Sequence, residues 1–301
     1  MRTLIKLMSL LLLLSHSELA VGQDITSTYV DITQRFKVKK KYTYELQVQE
    51  FNSAAVSLKN IKATTAITFR ILKEENGLKE GSWQYGKTEV TGADARIQEE
   101  LNFNEGFEMR FLIDPNGRIK EIINLKACQE HIRNKKKALL VNFPRYDALG
   151  VLEALENTLS PTQTLIKTHF PEINYAFFVF GKALKSDSLY TTNTTLPNPL
   201  GGQDLQAVMT VKSQQITNKA VVVKVDEEIP QENLDQMIRG VMKDVDPKGT
   251  IKVKDFPKLK MANNCIYTYD RKKKMYKKII ATKVLDDSQI KSRKVFTCLL
   301  Q

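Results

Sequence analysis

Gly81-Ser82-Trp83-Gln84-Tyr85-Gly86-Lys87-Thr88 has the residue types and spacing of a phosphate-binding loop: Gly, four residues, then Gly-Lys-Thr. In that chemistry backbone amides wrap the phosphates, while the lysine and threonine serve the terminal phosphate and Mg²⁺. Met109 to Ile113 even ends at Asp114, as a Mg²⁺-ligating strand would. The flanking residues oppose this reading. Lys73 to Glu80 is charged where a buried strand is required, and Glu89-Val90-Thr91-Gly92 is a poor helix start. Trp83 and Tyr85 would crowd the amides that must reach the phosphates. Their alternation fits a β-strand at least as well.

Other reactive residues are sparse. Cys128 and His131 stand three apart on a predicted helix and could share a metal, but a zinc site takes three or four ligands and no second pair lies nearby. His169 precedes Phe170-Pro171 with no visible nucleophile, and there is no Gly-x-Ser-x-Gly elbow. Ser186, Asp187 and Ser188 read as a solvated loop. Asn193-Thr194-Thr195 is a glycosylation sequon, meaningful only in a eukaryotic host. Scattered carboxylates could still converge as in a glycosidase, which keeps an unrecognised hydrolase as a remote alternative. No residue is assigned to catalysis, to a metal or to a cofactor, and this weighs against an enzyme. Cys265 and Cys298 lie in strand-like runs that neighbouring strands could bring together as a disulfide; two buried thiols is the other reading. Cys128 is then an unpaired thiol in a helix.

The first 22 residues set the compartment. Arg2 and Lys6 precede the apolar run Leu7–Leu14, and Ala20-Val21-Gly22 offers small residues before a cleavage point at Gln23. This is the layout of a secretory signal peptide. The run is too short for a spanning helix of about 20 residues. The expectation is an exported, periplasmic or extracellular protein with no transmembrane segment after cleavage.

Residues 23–301 are read as one α+β domain. It is also readable as two β lobes, 23–123 and 176–301, joined by helices within 124–174. Tyr42 to Val48 and Ile67 to Ile71 alternate with the period of a half-buried strand. Phe107–Ile113 and Arg118–Ile123 flank the turn Asp114-Pro115-Asn116-Gly117, a β-hairpin. Ile122, Leu125, Cys128, Ile132 and Leu139 fall at helical spacing, as do Tyr146, Leu149, Leu152, Leu155 and Leu159. Ser160-Pro161-Thr162-Gln163 looks like a capped helix start, with the helix stopping before Pro171. Phe177–Phe180, Gln206–Ser213, Ala220–Val225, Ile251–Lys254, Cys265–Asp270, Met275–Leu285 and Arg293–Leu300 read as strands, and 185–204 as a polar loop. Pro230 to Lys243 is an amphipathic helix. Strands without alternating crossover helices predict a largely antiparallel curved sheet or half-barrel, with a central helical segment and one further helix.

Hydrophobic residues make up 42% and charged residues 27%, so the chain can bury a core. The net charge is +12. Lysine dominates three clusters: Lys37 with Lys39–Lys41, Lys135–Lys137, and Arg271–Lys274 with Lys277-Lys278. A weak contact with anionic surfaces is one reading and a solvated exterior the other. Nucleic acid is not expected, because base readers favour arginine forks. The run at 271–274 lies at a predicted hairpin tip, a position that favours solvation.

Tyr42-x-Tyr44-x-Leu46, the Asp114–Gly117 turn, Pro197-Asn198-Pro199-Leu200-Gly201-Gly202, and Tyr269-Asp270 leading to Met275-Tyr276-Lys277-Lys278 together resemble uncharacterised exported β-rich proteins of Bacteroidota-type bacteria. That group carries no assigned activity. The layout is also similar to the half-barrels of periplasmic lipoprotein carriers, which implies a concave sheet with inserted helices holding acyl chains. The leading expectation is an exported, non-enzymatic binding protein for an apolar or amphiphilic, lipid-like ligand. Phe69, Ile71, Phe111, Phe178 and Phe180 are its candidate lining, or ordinary core. The alternative is an envelope structural or protein-interaction module, marked by an exposed apolar patch or an unpaired sheet edge.

Overall fold

Two runs of antiparallel hairpins build most of the molecule. The computed structural model describes residues 29–54, 57–93, 95–142, 159, 162–185, 188–196, 198, 204–245, 258–286 and 291–301. The predicted signal peptide, the predicted helix at 146–158, the proposed cap Ser160-Pro161, Ser186-Asp187 and the predicted strand at Ile251–Lys254 lie outside them.

The first run comprises β1 (Tyr29–Ile32), β2 (Lys41–Ala54), β3 (Ser57–Glu75), β4 (Leu78–Thr91), helix α1 (Ala95–Asn102), β5 (Glu108–Ile113) and β6 (Ile119–Ile122). Three helices follow: α2 (Leu125–Asn142), α3 (Thr162–His169) and α4 (Pro171–Phe177). The second run is β7 (Lys182–Lys185), β8 (Leu189–Leu196), β9 (Leu205–Ile216), β10 (Ala220–Glu228), helix α5 (Gln231–Val245), β11 (Lys260–Asp270), β12 (Met275–Asp286) and β13 (Lys291–Leu300). Both runs enter one 11-stranded sheet, ordered β6-β5-β4-β3-β2-β13-β12-β11-β10-β9-β8. The sheet does not close into a barrel, so β6 and β8 are its edges. β1 and β7 form a separate antiparallel pair. The predicted α+β class with a large, mostly antiparallel curved sheet is what the chain adopts.

Ring contacts show the curvature. Phe177 of α4 lies 5.5 Å from Phe69 on β3 and 5.3 Å from Phe111 on β5, while Tyr175 of the same helix lies 5.9 Å from Phe296 on β13. In a flat sheet β5 and β13 would stand roughly 19 Å apart. One helix of two turns touches both because the sheet curls around it. Phe36, just before β2, plugs the same core at 4.8 Å from Phe69.

The 114–117 hairpin turn forms as predicted. Gly117 N donates to the Asp114 carbonyl at 2.9 Å, and Gly117 takes φ +85°, which glycine adopts without strain. The phosphate-loop match lies inside β4, paired with β3 and β5, so it is a strand. Gly81 is there because Phe69 and Phe111 would each stand 3.0 Å from an added Cβ.

Three expectations are corrected. Phe177–Phe180 is not a strand: Pro171 starts a helix that runs through Phe177, and the chain then turns to Gly181 at φ +76°. The run of strand-forming residues is outweighed by burial at helical spacing, with Ile173, Ala176, Phe177 and Phe180 all inward. The 185–204 loop contains strand β8, whose polarity reflects its place at the sheet edge, with Thr residues supplying strand propensity. The Cys265–Cys298 bridge is absent and all three thiols are free. Those cysteines sit on β11 and β13 with β12 between them. Two strand spacings, close to 10 Å, exceed the reach of a disulfide, whose Cα atoms lie at most about 7 Å apart. Cys128 is buried in α2, as expected.

Gly117→Ala should destabilise by about 2–4 kcal/mol. Positive-φ strain contributes about 1 kcal/mol and crowding the rest, since Gln34 and Phe180 lie 2.8 Å from the added Cβ. Gly106→Ala, at φ +77° with nothing within 4 Å, should lose only the strain. Urea unfolding compares the two; equal losses would show that Gly117 is not enclosed.

Candidate functional site

The expected lining residues lie in the packed core. Phe69, Ile71, Phe111 and Phe180 are fully buried, and Phe69 stacks on Phe111 at 6.2 Å. Phe178 is apart from them, half-buried with Lys182 Nζ 5.4 Å from its ring centroid. Cys128 Sγ donates to Asn124 Oδ1 at 3.5 Å. His131 stacks on Phe107 at 3.9 Å and bonds Asn104, and burial, with Lys135 nearby, lowers its pKa to about 4. His169 falls likewise to about 4 through burial, assisted by Lys136 and Lys135. These side chains serve packing, and among the described residues no group of three or more His, Cys, Asp or Glu gathers as a metal site.

A different constellation stands out once the strand registers are followed across the sheet. Glu50 on β2 faces Lys294 on β13, Lys294 faces Lys283 on β12, Lys283 faces Asn263 on β11, and Asn263 faces Glu227 on β10. These five half-buried polar residues form one continuous rung on the covered face. The period of two puts them there: along β12, Ile279, Ala281, Lys283 and Leu285 share one face. The next rung toward the core is apolar and mostly buried: Val48, Phe296, Ala281, Cys265 and Val225. On the other side Met261 faces Leu285, which is 43% exposed although it points to the covered face. Met261 packs against the smaller apolar cluster that holds Ile229, just before α5, and Leu234 on it. The polar rung is thus bordered by sealed core on one side and by open apolar surface on the other.

The pairing within the rung is uneven. Lys294 Nζ makes an ion pair with Glu50. Asn263 Nδ2 donates to Glu227 Oε2 at 3.1 Å. Lys283 Nζ has neither ion pair nor hydrogen bond among the described residues, and its nearest aromatic contact is Phe296, 6.0 Å to the centroid. Burial lowers the Lys283 pKa and Lys294 beside it lowers it further, outweighing the opposing attraction of Glu172, Cys265 and Glu227. Burial raises the pKa of Glu227, offset in part by the Asn263 bond. Glu172 on α4 is also raised by burial, and accepts a hydrogen bond from the Tyr85 hydroxyl. The two raised carboxyls have separate hydrogen-bond partners, but both feel the Lys283 charge, which lowers each of them. The chemistry available at the rung is the capture of an anion by a partly desolvated ammonium with apolar surface beside it.

These residues escaped the sequence reading because Glu50 and Lys294 are far apart in the chain. The usable signal was a charged residue at an inward strand position, as Lys283 is after Ile279 and Ala281.

No protein-family model matches the chain, and no curated protein does. Among solved structures the chain is similar to a mutant porin of Rh. blastica at 8% identity, covering 87% of this chain and 99% of the other, with a TM-score of 0.28. It is similar to an outer membrane lipoprotein-sorting protein domain from Vibrio parahaemolyticus at 10% identity, covering 86% and 85%, with a TM-score of 0.14. TM-scores this low carry no argument about function.

Lys283→Met should leave the fold intact and raise its stability by about 1 kcal/mol, because burial and the neighbouring Lys294 outweigh the attraction of Glu172 and Glu227 at this ammonium, and methionine is an apolar side chain of similar length. Thermal unfolding measures this. A loss of similar size would show that the ammonium has a structural partner.

Proposed function

We propose that this protein is an exported, non-enzymatic binding protein that holds an acidic amphiphile on the covered face of its curved sheet. The observation that supports the reading is the cross-strand rung in which Lys283, beside the exposed Leu285, has no hydrogen bond or ion pair among the described residues. The ligand's anionic group sits at Lys283 and Lys294. Its alkyl chain lies along Leu285 and Met261 toward the apolar cluster under α5. An unpaired, partly desolvated charge costs stability, and the cost is recovered when an anion completes the site.

One observation favours a second reading as an interaction module. Edge strand β8 carries Leu189 and Tyr190 at 65% and 55% exposure, with Val208 also exposed on β9. Such an edge can pair with a strand of another chain.

Native mass spectrometry of residues 23–301 with dodecanoate should show a one-to-one adduct. Dodecyl maltoside, with the same chain length and a neutral head, should bind at least about tenfold more weakly, the charge-assisted contact contributing about 1.5–3 kcal/mol. Lys283→Met should lose the preference. Equal binding of both amphiphiles, or no adduct with either, would overturn the proposal and turn attention to β8.

A further inference from the structure

Three basic segments that are distant in the chain meet at one end of the sheet, and we infer that this end docks on an anionic lipid surface. The segment before β2 supplies Arg35, Lys37, Lys39 and Lys40, and Lys41 begins the strand. The β11–β12 hairpin tip supplies Arg271, Lys272, Lys273 and Lys274, and the β9–β10 tip supplies Lys219. Backbone bonds lock them side by side: Arg35 N donates to the Lys274 carbonyl at 3.1 Å, Arg271 N to Lys219 at 3.0 Å, and Lys39 N to Ile71 at 2.8 Å. From Ile71 on β3 to Lys219 beside β10 the cations extend across six adjacent strands, roughly 24 Å along the sheet.

The segment is fixed from beneath. Phe36 is buried against Phe69 and Tyr42, the Tyr269 hydroxyl donates to the Thr33 carbonyl at 2.6 Å, and Lys37 N donates to the Tyr42 hydroxyl at 2.7 Å. All the cations are exposed except Arg271, whose guanidinium donates to the Thr217 carbonyl at 2.8 Å. None of them closes an ion pair among the described residues. The acidic groups at this end are engaged locally. Asp270 Oδ1 accepts from the backbone of Lys272 and Lys273, Asp114 Oδ1 from Arg118 N, Glu45 from the Gln47 and Gln301 side chains, and Glu75 pairs with Lys73, leaving Glu74.

The composition selects the partner class. Eight of these cations are lysines, point charges without the forked geometry that reads bases. The exposed apolar side chains beside them are Val38 and Leu72, and no exposed aromatic is present among the described residues here to stack on bases or sugars. A lysine-rich end with exposed aliphatic side chains at its β3 border matches an anionic bilayer, where each cation near the surface contributes about fivefold in binding. This inference stands apart from the amphiphile site, since the rung lies toward the opposite end of the strands.

Co-sedimentation with phosphatidylcholine–phosphatidylglycerol vesicles tests it. The wild type should bind these vesicles, release at high salt, and ignore phosphatidylcholine alone. The triple variant Lys37→Glu, Lys272→Glu, Lys273→Glu should bind on the order of 100-fold more weakly. The triple variant Lys87→Glu, Lys126→Glu, Lys212→Glu, with the same net charge, should retain binding; all three of its sites are exposed and lie elsewhere. Equal loss in both variants, binding to neutral vesicles, or binding to heparin without vesicle binding would each overturn the proposal. The salt series on the wild type reads the effect independently of how either variant folds.

Discussion

The pairing of β2 with β13 is the constraint on which the rest of the molecule depends. Every other ladder of the 11-stranded sheet joins strands consecutive in the chain, while this one joins the first long strand to the last, from Tyr44 opposite Leu300 to Ser53 opposite Lys291. Its closure entropy is large, so the hairpins on either side must form much of their structure before it can be recovered. Once made, it fuses the two strand runs into a single curved surface. It also brings Glu50 opposite Lys294, so the polar rung exists only because this pairing exists.

The curled sheet needs a filling, and α4 supplies it. A helix of seven residues buries Ile173, Tyr175, Ala176 and Phe177 against strands from both runs. Its one buried carboxyl, Glu172, is anchored by the Tyr85 hydroxyl of β4. In a low-dielectric setting that bond holds the helix in one register, because any shift would leave a buried polar group without its partner. Phe69, Phe111 and Phe180, three of the residues expected to line a ligand site, pack against Phe177 of this helix.

Hairpins and periods of two were readable from sequence because they are local. The 114–117 turn, the strands at 206–213, 220–225 and 265–300, and the helix after Pro230 all rest on neighbouring residues. The failures share a cause. Phe177–Phe180 looked like strand because intrinsic preference was weighed without the partner surface that makes it a helix and turn. Leu189–Leu196 looked like loop because an edge strand keeps polar residues. The rung was illegible because it is a property of register between five strands, and no spacing within one strand reports it. The convergence of basic segments was hidden for the same reason. A hairpin tip seen alone argued for solvation, whereas two tips and the segment before β2 in contact make a surface.

Both ends of the strands therefore carry charge for different physical reasons. At one end exposed lysines sum into a field. At the other the ammonium of Lys283 sits half-buried beside that of Lys294, against the energetics of the fold, next to apolar surface that is not closed. The central claim is that Lys283 is held unpaired for an anion. The direct measurement is the titration of its side chain by NMR, using ¹³C label at Cε, with and without dodecanoate. The account predicts a free-state pKa below the ordinary lysine value of 10.5, rising when dodecanoate binds. An ordinary value that dodecanoate does not move would contradict it.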